Sequence, residues 1–500
     1  MNIAQAKQQI KHAMRAYFTK DEFGNYRIPI EKQRPVFLIG PPGIGKTAIM
    51  EQIASELGVG LVSYSMTHHT RQSALGLPYI TTKEYGGKAY QVSEYTMSEI
   101  IGSVYDLMRE TGKTEGILFL DEINCVSETL APCMLQFLQY KVFGQHRVPQ
   151  GWILVTAGNP PEYNKSVRDF DIVTWDRLKR IDVEPDYEVW KAYARSKGVH
   201  PAVMTYLAAR KKDFFKVENA ADGKRFVTAR GWDDLSEMIK LYEENEIAVD
   251  EHLIAQYLQD RRTARDFALY YDLFNKYRSD YRIDAILEGE INEAIVLRAQ
   301  RAQMDERLSV LGLLFDAVTA KLKAVCETEN VLEKLTGSLR ALKGSQDSMT
   351  QALDDTIQDY VKEMEAGKRS SSLSAQAQRE ILRVIRTLES FRAQLLALPA
   401  EKAQEFDRVR QMFALEVNAL RTDAAKAGQA LEHAFRFCEK AFEEGDEVLI
   451  FVTELTADYS SARFIGHYGC ESYYMHNKEL QFEERQTEIA KRIDQMDWSL

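Results

Sequence analysis

The sequence predicts an α/β protein: a parallel sheet between layers of helices in the first part, followed by a second part that is helical throughout. Eleven of the 12 prolines lie at or before Pro201, and only Pro399 follows. Because proline breaks helices, its scarcity after residue 201 favours long helices there. In the first part, short apolar runs alternate with polar, helix-forming stretches. The 500 residues are enough for about three domains.

Short apolar runs in the first part predict buried strands. The four clearest runs are PVFLIG (35–40), GLVSYSM (60–66), GILFL (116–120) and WILVTAG (152–158). RIDVE (180–184) is a candidate fifth strand. Short buried strands separated by helix-forming segments are typical of a parallel sheet that helices cover on both faces.

The pattern becomes helical from Asp186. Apolar spacing predicts helices over 187–197, 201–212, 229–243 and 250–277. Beyond residue 296 come long amphipathic stretches, such as the one containing Ile381, Leu388 and Leu395, whose apolar residues recur at three- and four-residue spacing. Polar turns are expected at 344–350 and 367–374. Broken heptads favour an antiparallel helical bundle or hairpin over one long coiled coil.

Composition excludes several classes of protein. The net charge of −11 argues against a dedicated nucleic-acid-binding protein, although it is compatible with a local basic groove. The five cysteines are too few and too scattered for a disulfide framework or a zinc ribbon. No apolar run approaches the roughly 20 residues of a membrane span, and the N-terminus lacks the apolar core of a secretory signal. We therefore expect a cytoplasmic protein.

A phosphate-binding loop follows the first predicted strand. The run GPPGIGKT (40–47) matches G-x-x-x-x-G-K-[ST], and the helix-forming segment AIMEQIASELG comes directly after it. Glycines let backbone N–H groups turn towards phosphate oxygens, Lys46 can reach the β- and γ-phosphates, and the Thr47 hydroxyl can ligate Mg²⁺. The residues expected to bind ATP here are Gly40, Pro41, Pro42, Gly43, Ile44, Gly45, Lys46, Thr47 and Ala48.

Two acids end the third predicted strand. In GILFLDE, Asp121 stands where a buried strand reaches the surface and can hold the magnesium ion together with Thr47. Glu122 is the candidate that orients and polarises the attacking water. An ordinary strand end with exposed carboxylates is the alternative, but a phosphate-binding loop upstream favours the catalytic interpretation.

The combination of GPPGIGKT, LFLDEIN and VTAGNP resembles the AAA+ ATPases, and DEIN with NPPEYN and DRLKR is most similar to their MoxR-like branch. The resemblance covers roughly residues 1–290. It implies a P-loop AAA+ core with a parallel sheet sandwiched by helices, over 1–185. An all-α lid over 186–295 and an all-α C-terminal bundle or hairpin over 296–500 are expected to follow.

The resemblance also implies roles for residues outside the two main motifs. Asn159 matches the sensor-1 position, whose amide contacts the γ-phosphate or the attacking water. Arg177 matches the arginine finger, which reaches the nucleotide of the next subunit, and Arg180 is the alternative for that role. Arg230 matches the sensor-2 arginine at the start of a lid helix. The expected catalytic residues are therefore Glu122, Asn159 and Arg177, with ATP and Mg²⁺ as cofactors.

The leading functional hypothesis is an ATP-hydrolysing machine that remodels or matures a protein client. A finger supplied by a neighbour implies a ring, which the family suggests is a hexamer. MoxR-like proteins also suggest a von Willebrand factor A domain partner. The alternatives are a nucleic-acid motor or restriction-type NTPase, which the acidic charge disfavours, and a nucleotide-gated scaffold with negligible turnover, which the presence of Lys46 and Glu122 disfavours.

Overall fold

The computed structural model describes residues 1–164, 166–168, 170–220, 223–343, 348–369, 373–397, 402–443 and 445–478. The chain divides into two compact units. The first unit comprises Met1–Val189 and Gln358–Ile381, and the second comprises Trp190–Ile357 and Leu382–Leu500. The expected domain boundaries at residues 185 and 295 stay a prediction.

The first part of the chain alternates helices with short strands. In chain order these are α1 (Ile3–Tyr17), β1 (Val36–Ile39), α2 (Ala48–Leu57), β2 (Gly60–Ser65), α3 (Arg71–Leu75), β3 (Pro78–Tyr85), β4 (Lys88–Tyr95), α4 (Glu99–Thr111), β5 (Gly116–Asp121), α5 (Ala131–Tyr140), β6 (Val142–Phe143), β7 (His146–Arg147), β8 (Trp152–Gly158), α6 (Ile172–Trp175) and β9 (Lys179–Asp182).

Five of these strands form one parallel sheet in the order β2-β5-β8-β1-β9. The predicted α/β class is therefore confirmed, and each of the five predicted strands is present with bounds shifted by at most two residues. β1 lies between β8 and β9, pairing Ile39 with Gly158 on one side and with Asp182 on the other. The carboxyl ends of β1, β5 and β8 consequently meet at one edge of the sheet.

The sheet is buried on both faces because its strands are apolar at successive positions. Along β5, Ile117 and Phe119 pack on the face that α1 and α2 cover, whereas Leu118 and Leu120 pack on the opposite face with α4 and α5. All four side chains are fully buried. Side chains alternate between the two faces of a strand, so an unbroken apolar run supplies two cores at once.

Two hairpins in this unit were not predicted, namely β3 with β4 and the short pair of β6 with β7. The segment between the second and third predicted strands was expected to be helical, but it contains the antiparallel pair β3 and β4, in which Tyr85 pairs with Lys88. Gly86 and Gly87 form the turn and have φ angles of 58° and 77°. Both values lie in the left-handed region, where glycine has no steric penalty, and a two-residue turn of this kind suits a tight hairpin.

After residue 186 the described chain is mainly helical. Its elements are α7 (Tyr187–Lys197), α8 (Pro201–Ala209), β10 (Lys216–Ala220), β11 (Gly223–Val227), α9 (Ala229–Glu244), α10 (Glu251–Tyr257), α11 (Arg261–Tyr281), α12 (Ile283–Leu287), α13 (Glu293–Arg301), α14 (Met304–Leu342), α15 (Met349–Arg369), α16 (Ala375–Ala397), α17 (Lys402–Phe442), α18 (Asp446–Ala457) and α19 (Tyr459–Tyr468).

Two helical predictions here were wrong. The helix expected over 250–277 is two helices, α10 and α11, because the Asp260 side chain accepts a hydrogen bond from the backbone N–H of Thr263 and so begins a new helix. The helix expected over 201–212 ends at Ala209, and a 3₁₀ turn over Lys211–Asp213 precedes the unpredicted hairpin of β10 and β11.

The predicted polar turn at 344–350 falls partly on residues 344–347, outside the described residues, and α15 begins at Met349. The turn predicted at 367–374 includes residues 370–372, which also lie outside, while α15 continues to Arg369. Among the described residues, none of the helices combines the length and the apolar character needed to cross a bilayer.

Aromatic and polar contacts hold the core of the second unit. Tyr206, Trp232 and Phe267 pack against one another with ring centroids 5.2–5.7 Å apart, two of the three pairs edge to face. Tyr270 donates a hydrogen bond to Thr205 at 2.7 Å and lies 3.1 Å from the Ser309 hydroxyl. These contacts join α8, α9, α11 and α14.

Candidate nucleotide-binding site

The loop between β1 and α2 leaves the sheet at the edge where the strand ends converge. Gly43 and Gly45 have φ angles of 75° and 91°, values that side chains of L-residues rarely adopt. Gly40 is required for a different reason: a Cβ there would lie 2.6 Å from the Val183 carbonyl oxygen. Gly43 and Gly45 thus allow the backbone conformation of the loop, and Gly40 allows the loop to pass close to the Val183 backbone.

Lys46 lies inside this loop and is 8% exposed. Its ammonium donates to the carbonyl oxygens of Gly40 and Pro41 at 2.7 and 2.8 Å, and to the Asn159 side-chain oxygen at 3.0 Å. The structure therefore brings two of the predicted site residues, from β1's loop and from the end of β8, into direct contact. Buried charge of this kind is held in place by its hydrogen-bond acceptors.

Thr47 and Asp121 meet as the sequence predicts. The Thr47 hydroxyl donates to a carboxylate oxygen of Asp121 at 2.9 Å, which joins the start of α2 to the end of β5. A hydroxyl and a carboxylate are hard oxygen donors of the kind that Mg²⁺ prefers. The donor set therefore fits the predicted magnesium ion, with Thr47 and Asp121 as the residues that would hold it.

Glu122 has an unusual backbone. Its φ and ψ angles are 56° and 34°, in the left-handed region, although it is not glycine. Its carboxylate accepts hydrogen bonds from the hydroxyls of Ser65 at 3.0 Å and Thr67 at 3.1 Å. Non-glycine residues persist in this conformation only when the surroundings hold them there, and they cluster at functional sites. Ser65 and Thr67 are therefore candidate positioning residues.

Sequence reasoning missed Ser65, Thr67 and also Asn124. The buried Asn124 side chain donates to the Asn159 carbonyl at 2.9 Å. A Cβ on Gly158 would lie 2.3 Å from the Asn124 side-chain oxygen, so the small residue before Asn159 makes room for it. The signal for Ser65 and Thr67 was a pair of hydroxyls just after an apolar strand, but their use depends on the neighbouring position of β2 and β5 in the sheet.

Removing both hydroxyls tests the positioning role. We expect Ser65→Ala with Thr67→Val to lower the kcat of ATP hydrolysis about tenfold with little change in KM, because Glu122 loses both donors while the phosphate loop is untouched. Ser63→Ala is the matched control, since Ser63 is exposed on the same strand. Steady-state kinetics measure the two constants. A change in KM alone, or an equal effect of Ser63→Ala, would contradict the role.

The two candidate finger arginines differ in their contacts. Arg177 is exposed and donates to the neutral amide of Gln139 on α5. Arg180 forks onto Asp182, with contacts of 2.7–3.1 Å, and its guanidinium lies 4.8 Å from the centre of the Trp175 ring. Arg180 is thus paired with a carboxylate on its own strand, whereas Arg177 contacts an uncharged side chain that holds it more weakly.

Arg230 belongs to the second unit, where it is the second residue of α9 and is exposed. The N-cap of that helix is Thr228, whose hydroxyl accepts from the Gly231 backbone N–H at 3.2 Å. The sensor-2 role of Arg230 stays a prediction.

Residues 36–161 match the family described as "ATPase family associated with various cellular activities (AAA)". This segment is an AAA-family domain. It contains the phosphate-binding loop, Asp121, Glu122 and Asn159, whereas Arg177 and Arg230 lie outside the matched residues.

Other comparisons add little to the AAA assignment. A crystal structure of a "putative ATPase" from Cytophaga hutchinsonii shares 16% identity, with a TM-score of 0.24. That likeness covers 38% of this chain and 56% of the other, which is less than two thirds of its length. No curated protein matches the chain.

Proposed function

We propose that this protein is an ATP-hydrolysing machine of the MoxR-like branch that remodels or matures a protein client. The observation that carries the proposal is the convergence of three strand ends: Lys46 contacts Asn159 at 3.0 Å, and Thr47 contacts Asp121 at 2.9 Å. Three groups thus meet at one edge of the sheet: the proposed phosphate-binding loop, the pair that would ligate magnesium, and the Asn159 amide. Phosphoryl transfer to water requires such an arrangement.

Each residue then has a defined task. The loop amides and Lys46 bind the phosphate oxygens of ATP, with the lysine offsetting negative charge. Mg²⁺, when bound, would neutralise the negative charge that develops on the phosphate oxygens. Thr47 and Asp121 would hold that ion. Glu122, fixed by Ser65 and Thr67, orients and polarises the attacking water, and Asn159 positions the phosphate or the water.

We further propose that the site is completed by the neighbouring subunit of a ring. The family suggests six subunits and a von Willebrand factor A domain partner, and both rest on the resemblance. The cytoplasmic location expected from the sequence stays a prediction. Arg177 is the favoured finger over Arg180, because leaving the neutral Gln139 costs less than breaking the forked ion pair with Asp182. A head-to-tail interface of this kind closes into a ring when its rotation divides a full turn.

Mixing inactive variants tests the shared site. We expect Arg177→Ala to lower ATP turnover by about 10³-fold, because a finger arginine stabilises charge in the transition state. Lys46→Ala is inactive for a different reason, since it fails to bind nucleotide. An equal random mixture of the two should recover activity at up to about a quarter of the interfaces, where an intact loop meets an intact finger. Hydrolysis of ATP by each protein and by the mixture is the measurement.

The control is Arg180→Ala, which should retain most activity and give no gain on mixing. No recovery at any ratio would contradict a finger in trans, and strong loss in Arg180→Ala would move the role to Arg180.

A further inference from the structure

A basic cleft lies in the second unit, and none of its lining residues belongs to the nucleotide site. It is open to solvent and has a volume of about 800 Å³ between the end of α8, the following 3₁₀ turn, the start of β10 and the first turn of α11. A volume of this size is within the range of ligand-binding sites. We define the basic cleft by its lining residues, which are Ala208, Ala209, Arg210, Lys211, Lys212, Asp213, Lys216 and Arg262.

The charge of the basic cleft is strongly one-sided. Five of its lining residues are cationic. Asp213 is the one carboxylate among the lining residues in the described part of the chain. Asp213 is 4% exposed and accepts from Lys216 at 2.5 Å and from the Tyr206 hydroxyl at 2.9 Å. Its charge is therefore offset within the protein. The exposed rim of the cleft carries Lys211, Lys212 and Arg262, and a rim of one sign concentrates counter-ions.

Arg210 extends this positive surface. Its guanidinium carbon lies 5.5 Å from the centre of the Tyr206 ring, and one nitrogen contacts the Asp266 carboxylate at 3.0 Å. The side chain is 50% exposed, so the pair with Asp266 is a surface pair worth at most about 1 kcal/mol. The contact with the tyrosine ring restricts the position of the guanidinium. An arginine restricted in this way can donate two parallel hydrogen bonds to a phosphate.

We propose that the basic cleft binds the phosphate backbone of a nucleic-acid strand. The lining supplies several cations, and its apolar side chains are the two alanines. A protein segment would need apolar or aromatic anchors to bind tightly, whereas a phosphate backbone is held by charge and hydrogen bonds alone. The chain-wide charge of −11 argues against non-specific binding over the rest of the surface, so the interaction is confined to the cleft. The inference stands independently of the proposed function.

The test measures binding of a mixed-sequence single-stranded DNA of roughly 20 nucleotides to the full chain in the absence of ATP. Fluorescence anisotropy of the labelled DNA is the readout. We expect affinity to fall steeply between about 50 and 200 mM salt. The variant Lys211→Ala/Lys212→Ala/Arg262→Ala should bind at least about tenfold more weakly. Its slope of log affinity against log salt should be shallower by about 2, since each lost phosphate contact on a single strand contributes about 0.7.

The matched control removes the same charge elsewhere. Lys362→Ala/Arg410→Ala/Arg421→Ala replaces three exposed cations on α15 and α17 and should bind as the parent does. Circular dichroism checks folding, and the single variants Lys211→Gln and Lys212→Gln repeat the test with smaller changes. Absent binding, or equal loss in the control, overturns the proposal. Polyglutamate of equal charge that competes as well as the DNA also overturns it, in favour of an acidic protein segment.

Discussion

Lys46→Ala is expected to abolish tight ATP binding. Its ammonium donates to the carbonyl oxygens of Gly40 and Pro41, within the loop that we propose binds the phosphates. Hydrogen bonds to a charged group contribute about 1.5–3 kcal/mol each, so losing the phosphate contacts weakens binding by roughly 100-fold or more. Isothermal titration calorimetry with ATP and magnesium measures the change. An unchanged Kd would refute the nucleotide site.

Two further variants separate charge from packing. Lys46→Met keeps most of the buried stem and should bind ATP as poorly as Lys46→Ala. Lys141→Met is the matched control, because Lys141 is also a buried lysine of the first unit, 4% exposed, and lies outside the loop. Burial lowers the pKa of Lys141 to about 8, so its charge is already costly there. We expect Lys141→Met to leave the Kd for ATP unchanged.

Glu122→Gln is expected to keep ATP binding and lose turnover. Glutamine has the same shape and can still accept from Ser65 and Thr67, but it cannot take up a proton from the attacking water. General base catalysis contributes about 10²–10⁴-fold, so kcat should fall by that factor while the Kd for ATP stays near the parental value. Single-turnover hydrolysis and calorimetry measure the two quantities.

The same variant tests the client hypothesis. An ATP-bound assembly that does not turn over should retain its client, so affinity purification with ATP should recover a protein that is absent from the Lys46→Ala sample. Glu128→Gln is the control, because Glu128 is an exposed acid six residues further along, paired with Arg168.

In the kinetic experiment, a parental kcat for Glu122→Gln would assign the water-positioning role to another residue.

The sequence predicted the parts of the site whose chemistry is local. A phosphate-binding loop needs glycine, lysine and threonine at fixed spacing, and a buried strand that ends in Asp121 is visible as an apolar run. Ser65, Thr67 and Asn124 were missed because their contacts depend on which strands are neighbours. The order β2-β5-β8-β1-β9 is set by packing across the whole sheet and leaves no trace at any one position.

The hairpin of β3 and β4 and the break between α10 and α11 both have local signals in the sequence. Gly86-Gly87 is a typical hairpin turn, and the flanking residues 78–85 and 88–95 include four tyrosines, two threonines, an isoleucine and a valine, which favour strands. Asp260 is a strong N-cap residue in the middle of the helix expected over 250–277. At Asp260, the capping side chain decided the structure over the average helix propensity of the segment.

The sheet has a mechanical consequence. Because β5, β8 and β1 are hydrogen-bonded to one another, we expect Asp121, Asn159 and the start of the loop that carries Lys46 to keep their mutual spacing. In the proposed ATPase cycle, cleavage of ATP would therefore leave this edge of the sheet almost unchanged. Motion would then arise in groups that contact the edge from outside the sheet.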